Sequence, residues 1–293
     1  MRATKYYQVA GHVFGVTAES EQLALLQNYA PFACNESDRV AFTLRIEGGE
    51  APAYTEEMRQ EDEGQDIVCG KTDGGQPVFE FRWFQQTAGY LICHADYREG
   101  RLVTTGQHTK LAIDNALMVL YALSTAAKGT ALFHAAVVSF QGKGYMFLGP
   151  SGTGKSTHAS LWLRHIEDSE LLNDDNPVVR IGHQGQVIVY GSPWSGKTPC
   201  YRNVSYPLGA IVVLSQAPYN KIQRLSGIQA YASLVASISG KRWDATIADG
   251  LHWTENQLAT CVPVWHLECL PDAAAAQLCA SLVLCKQSVT SND

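Results

Sequence analysis

The chain has 293 residues, 46% of them hydrophobic and 17% charged, with a net charge of −6. That composition excludes a disordered chain and gives room for two domains. Six acids and one arginine in residues 56–66 supply −5 of the net charge, so the rest is near neutral. No basic stripe argues for nucleic acid, and no apolar run approaches a membrane span. Eight cysteines are scattered without metal spacing, which fits buried thiols in a reducing cytoplasm.

In chain order, the first hundred residues predict strands: YYQVA, HVFGV, VAFTLRI, PVFEFRWF and YLICHADY, rich in aromatic and β-branched residues. A helix is expected near Ser20–Asn28, and the acidic stretch 56–66 reads as a solvated loop between strands. Ile113, Ala116, Leu117, Leu120 and Leu123 fall at helical spacing, predicting a helix over 109–127. The domain boundary is placed at this helix, giving a β-rich domain 1–105 and a catalytic domain 106–293.

From residue 131 strands and helices alternate. ALFHAAVVSF and GYMFLG read as strands, Lys155–Ile166 as a helix, and ELLND, PVVRI and QVIVYG as strands. LGAIVVL reads as a strand buried on both faces; helices are expected over 226–238 and 272–285, with the strand VPVWHLE between. The pattern predicts an α/β core.

Residues 149–156 read G-P-S-G-T-G-K-S, a full match to the Walker A phosphate-loop pattern between a predicted strand and a predicted helix. A chance match in a chain of this length is on the order of one per cent. Gly149, Gly152 and Gly154 let the backbone turn its N–H groups inward, with Pro150, Ser151 and Thr153 between them. Lys155 offers a charge to the β- and γ-phosphates, Ser156 a hydroxyl ligand for Mg²⁺, and Thr157 continues the first turn. The loop predicts ATP binding; motors, switches and kinases share it.

Asp174-Asp175 closes the strand after the loop helix. Neighbouring residues on a strand point to opposite sides, so one carboxylate can hold metal while the other accepts a hydroxyl proton. We assign Asp174 to the base and Asp175 to the metal, the reverse being open. Lys197 and Arg202, in or beside a Gly/Pro-rich segment, are candidates for neutralising charge on the transferred phosphoryl group. Trp194 suits stacking on a base or substrate as well as capping the core, and His158 suits either the nucleotide or a solvated helix face.

His134, in the strand H-A-A-V-V before the loop, completes an order of features that resembles the catalytic domain of HPr kinase/phosphorylase and the related phosphoenolpyruvate carboxykinases. The G-K-S-T-H, N-D-D-N-P and G-S-P-W-S-G-K segments are closer still to bacterial HPr-kinase-like proteins. The resemblance implies a P-loop kinase core of that type, His134 near the transferred phosphate, the first acid as base and the second on the metal. The related kinases often assemble, so the resemblance allows a homo-oligomer, while the cytoplasmic expectation comes from the scattered cysteines. The reading expected is a Mg²⁺- and ATP-dependent phosphotransferase acting on a hydroxyl of a peptide, protein or metabolite. The alternatives are a nucleotide-binding regulatory module and a plain ATPase.

Overall fold

The computed structural model describes residues 1–62, 64–182, 184–196 and 198–285. Two compact units divide the chain, Met1–Thr125 and Ala126–Asp293. The boundary expected between residues 105 and 106 stands in front of the long helix of the first unit, and the division between the compact units stands behind it.

The first unit runs β1 (Arg2–Val9), β2 (His12–Glu19), α1 (Ser20–Leu23), a 3-10 segment Gln27–Phe32, β3 (Ala33–Cys34), β4 (Val40–Gly48), β5 (Thr55–Asp62), β6 (Gln65–Lys71), β7 (Pro77–Trp83), β8 (Gln86–Cys93), β9 (Glu99–Thr104) and α2 (Thr109–Thr125). Its strands form one sheet in the order β3-β1-β2-β4-β9-β8-β7-β6-β5. Ala10 and Gly11, both at positive φ (47° and 78°), close β1 onto β2 in a two-residue turn whose twist matches the strands. The buried stripe Ile113, Ala116, Leu117 and Leu120 seats α2 on the sheet; a Cβ at Gly100 would come within 2.6 Å of Leu120 Cδ1, so the helix lies directly on the backbone there. Phe14 stacks on Phe42 at 4.9 Å, and the Tyr121 hydroxyl donates to the Val9 carbonyl at 3.0 Å.

The acidic stretch 56–66 is not a loop: it is the edge strand β5 and its turn into β6. Exposed on both faces, β5 lacks the apolar alternation that makes a strand visible in sequence. The helix expected over 20–28 is one turn followed by the 3-10 segment, with Pro31 inside it.

The second unit runs β10 (Thr130–Leu132), β11 (Ala135–Phe140), β12 (Lys143–Leu148), α3 (Lys155–His165), β13 (Glu170–Asp175), β14 (Val178–Ile181), β15 (Val187–Tyr190), β16 (Ser205–Gln216), β17 (Lys221–Leu225), α4 (Gly227–Val235), α5 (Ala245–Cys261), β18 (Val264–Cys269) and α6 (Ala273–Cys285). Its sheet has the order β10-β14-β15-β16-β12-β11-β13, with β18 beside β16 and β17 beside β18. On one face Phe147, Val138, Val212 and Leu267 pack against Trp162 of α3 and Ala276, Cys279 and Val283 of α6.

The α/β P-loop kinase core of the HPr kinase/phosphoenolpyruvate carboxykinase type is not what forms. The chain is β-rich, 42% strand and 28% helix, in two large mixed sheets. The physical reason lies in the connections. Gln141 and Gly142, at φ 47° and 74°, join β11 to β12, and a two-residue turn forces an antiparallel pair. β14 and β15 also pair antiparallel. Among the described residues of the second unit, only β12–β16 and β16–β18 run parallel. Apolar strands in sequence looked like a parallel core because hairpin strands buried on both faces show the same continuous apolar runs.

Candidate functional site

Three segments meet at one end of the second sheet because β11 lies between β12 and β13 and runs antiparallel to both. The carboxyl ends of β12 and β13 therefore share an end with the start of β11. Ala136 faces Phe147 on one side and Asp174 on the other. Two strand spacings, about 10 Å, thus separate the tail of β12 from the acids, a width that suits a phosphate and its metal.

The loop after Leu148 turns on glycines: φ is 151° at Gly149, 76° at Gly152 and 106° at Gly154. A Cβ at Gly149 would press on Thr153 Cγ2 at 3.1 Å and the Leu214 carbonyl at 3.2 Å. Gly154 caps α3 and offers no side-chain acceptor to its first turn; a helix start of this kind attracts an anion through its backbone N–H groups and dipole. The Lys155 ammonium folds back over the loop and donates to the carbonyls of Gly149 (2.9 Å) and Pro150 (3.2 Å). Thr153 Oγ1 donates to the Pro150 carbonyl at 2.6 Å. Ser151, Ser156 and Thr157 are exposed. Gln216, at the end of β16, donates through Nε2 to the Gly152 carbonyl at 3.1 Å and pins the crown of the loop from a neighbouring strand.

Asp174 is buried, at 4% exposure, and Asp175 is half-buried. Asp175 has φ 155°, a strained value for a residue with a side chain and of the kind that concentrates at functional sites. Its carboxylate meets His134 Nδ1 at 3.3 Å and accepts from Asn176 Nδ2 at 2.8 Å. The segment 192–196 is strapped to the acids. Asn173 Nδ2 donates to Ser192 Oγ and to the Trp194 carbonyl, both at 3.1 Å. Ser192 Oγ donates to the Asn176 carbonyl at 2.6 Å, and Gly196 N–H to the Asp174 carbonyl at 2.6 Å. Gly196 is required there, since a Cβ would stand 2.9 Å from that carbonyl oxygen.

The structure thus brings together Gly149–Gly154, Lys155, Ser156, His134, Asp174 and Asp175. Arg202 is engaged elsewhere: its guanidinium donates to Glu170 at 2.7 Å and to the Leu171 carbonyl at 2.6 Å, at the far end of β13. Lys197 lies outside the described residues. Trp194 is buried and caps the core. His158 also turns inward; its Nε2 accepts from Trp162 Nε1 at 3.2 Å, its ring meets Phe147 edge-on, and burial pushes its pKa down to about 4. Sequence reasoning did not single out Gln216, Asn173 or Ser192 as site residues. Asn173 is one of four polar residues in the strand ELLNDD, so its type alone does not mark it as part of the clasp.

Among the described residues no group of three or more His, Cys, Asp or Glu could hold a metal ion. A magnesium ion carried on nucleotide phosphates needs only one or two carboxylates and a hydroxyl. The glycine cradle, the uncapped first turn of α3 and the carboxylates about 10 Å away fit a magnesium nucleotide.

Residues 102–262 match the family model described as SynChlorMet cassette protein ScmC. No curated protein matches the chain. The match corrects the resemblance to HPr-kinase-like proteins and phosphoenolpyruvate carboxykinases: the family is ScmC, unrelated to them, and the short local motifs on which that resemblance stood do not extend to the β-rich fold.

Proposed function

We propose that this chain, which belongs to the ScmC family of SynChlorMet cassette proteins, is a Mg²⁺- and ATP-dependent phosphotransferase acting on a hydroxyl group of a peptide, a protein or a small metabolite. The observation that carries the reading is the convergence of a glycine loop, a lysine, two adjacent carboxylates and a histidine at one end of one sheet. Binding falls to the loop N–H groups and the first turn of α3, where backbone dipoles favour a phosphate. Lys155 exchanges two carbonyl acceptors for phosphate oxygens, a stronger, charge-assisted bond.

Asp175 and Ser156 would hold Mg²⁺, which would offset negative charge on the nucleotide phosphates. Asp174 takes the hydroxyl proton as the acceptor oxygen attacks. His134, fixed against Asp175, orients that carboxylate. The strap of residues 192–196 holds both acids in register with the loop.

The experiment is a comparison of ATP binding and transfer of labelled γ-phosphate to hydroxyl acceptors. In Asp174→Asn, ATP affinity is retained and transfer falls by about 10²–10⁴-fold. A wild-type chain that binds ATP tightly yet transfers to no acceptor overturns the reading in favour of a regulatory module. Release of phosphate to water alone favours an ATPase.

A further inference from the structure

The order of the second sheet gives a bound triphosphate a direction. The glycine loop leaves the end of β12, the acids stand two strands away on β13, and β16 and β18 follow on the other side of β12. A γ-phosphate turned toward the acids therefore sends the nucleoside the opposite way, over the ends of β16 and β18. The register brings those ends level with the loop. Leu148 pairs with Val213, Leu214 pairs with Leu267, and the Leu214 carbonyl lies against Gly149.

A braced shelf stands at that place. β17 pairs with β18 on the side away from β16, so residues 217–220 step across the end of β18 to reach it. Two bonds tie the step down: the Ala217 N–H donates to the Cys269 carbonyl at 3.1 Å, and the Leu270 N–H donates to Asn220 Oδ1 at 2.8 Å. Asn220 Nδ2 donates to Asp272 Oδ1 at 3.0 Å, and that oxygen also accepts from the Ala275 N–H of α6 at 2.9 Å. At the near end Gln216 joins the shelf to the crown of the glycine loop through its bond to the Gly152 carbonyl.

Two large apolar side chains are exposed on the shelf, Tyr219 at 50% and Leu270 at 38%. The Tyr219 hydroxyl donates to Glu268 Oε1 at 3.1 Å, which anchors the ring at its tip. An anchored aromatic face and an aliphatic one on adjoining loops suit a flat heterocycle, because every base offers a π-face.

We propose that the shelf of residues 216–220 and 269–272 seats the nucleoside of the bound triphosphate. The base lies against Tyr219 and Leu270, and the ribose lies beside Gln216. This inference rests on the nucleotide reading of the glycine loop. It adds the contacts that separate a nucleotide from a bare polyphosphate.

The test is calorimetric titration of the full chain, in excess Mg²⁺, with ATP and with inorganic tripolyphosphate. ATP is expected to bind about tenfold more tightly or better. Tyr219→Ser and Leu270→Ser each weaken ATP binding by about three- to tenfold. Both leave tripolyphosphate affinity unchanged, which also shows that the variants are folded. Tyr219→Phe keeps the ring and retains most of the ATP affinity. Equal affinity of the wild type for the two ligands overturns the shelf, as does ATP affinity indifferent to both serine variants or an equal loss for both ligands. Tripolyphosphate binding that Lys155→Ala weakens would then still uphold the phosphate loop. If the wild type binds neither ligand, the nucleotide reading fails and the shelf fails with it.

Discussion

At neutral pH the His158 ring is uncharged, because burial holds its pKa near 4 against an ordinary value of 6.5. The sign follows from proton uptake: between pH 6.5 and 4 the unfolded chain binds a proton at this site and the folded chain does not, so stability falls as pH falls. The loss reaches about 2 kcal/mol at pH 5 and saturates near 3 kcal/mol below pH 4. Denaturant unfolding at pH 7 and pH 5 measures it, and His158→Phe is expected to remove that part of the slope. For Lys155→Ala we expect ATP affinity to drop roughly thirtyfold, equivalent to about 2 kcal/mol; an unchanged Kd would mean that the loop is not the nucleotide site. Which site residues were legible follows the range of their interactions. Gly149, Lys155 and Asp174-Asp175 report through short local patterns that fix backbone turns. Arg202 does not, since a partner 32 positions away at Glu170 decides where its guanidinium goes. Trp194 and His158 looked available in sequence, and only packing shows them turned inward.

Among the elements, the segment 192–196 has the sharpest steric requirement. Gly196→Ala puts a methyl group 2.9 Å from the Asp174 carbonyl, an overlap that must displace the strap or the strand end. We expect a stability cost of about 1–3 kcal/mol. Phosphotransfer should be lost with ATP affinity preserved, because the glycine loop is built on other strands; equal losses in both would contradict the strap's separate role. Sequence reading found β11, β12, α3 and β13, whose apolar runs are bounded by glycine or aspartate. It missed α5 altogether. Gly250 sits inside that helix where a Cβ would lie 2.6 Å from the Ala126 carbonyl, so close packing demands the residue that most weakens a helix signal. The strand β5 was missed for the opposite reason: its position at the sheet edge lets acids occupy both faces, and no periodicity survives.

For the whole molecule, no helix among the described residues is long and apolar enough to cross a membrane. The described cysteines are free thiols in unequal surroundings. Cys261 is exposed, whereas Cys279 of α6 is buried in the core cluster with Trp162 of α3, where desolvation raises its pKa out of the reactive range. Titration of the native chain with a thiol reagent at pH 8 is expected to modify Cys261 early and Cys279 only on unfolding. Early loss of the Cys279 thiol would show that the core opens locally. The two-residue turn at Gln141–Gly142 has a kinetic corollary. His134, the glycine loop and the acids all fall between residues 134 and 175, joined by a tight hairpin and one helix. Their pairing closes short loops, so it can precede the longer-range docking of β16 and β18. Hydrogen exchange should then find the β11–β12–β13 amides protected as one cooperative unit early in refolding, with the loop-and-acid end of the sheet serving as the nucleus on which the remaining strands assemble.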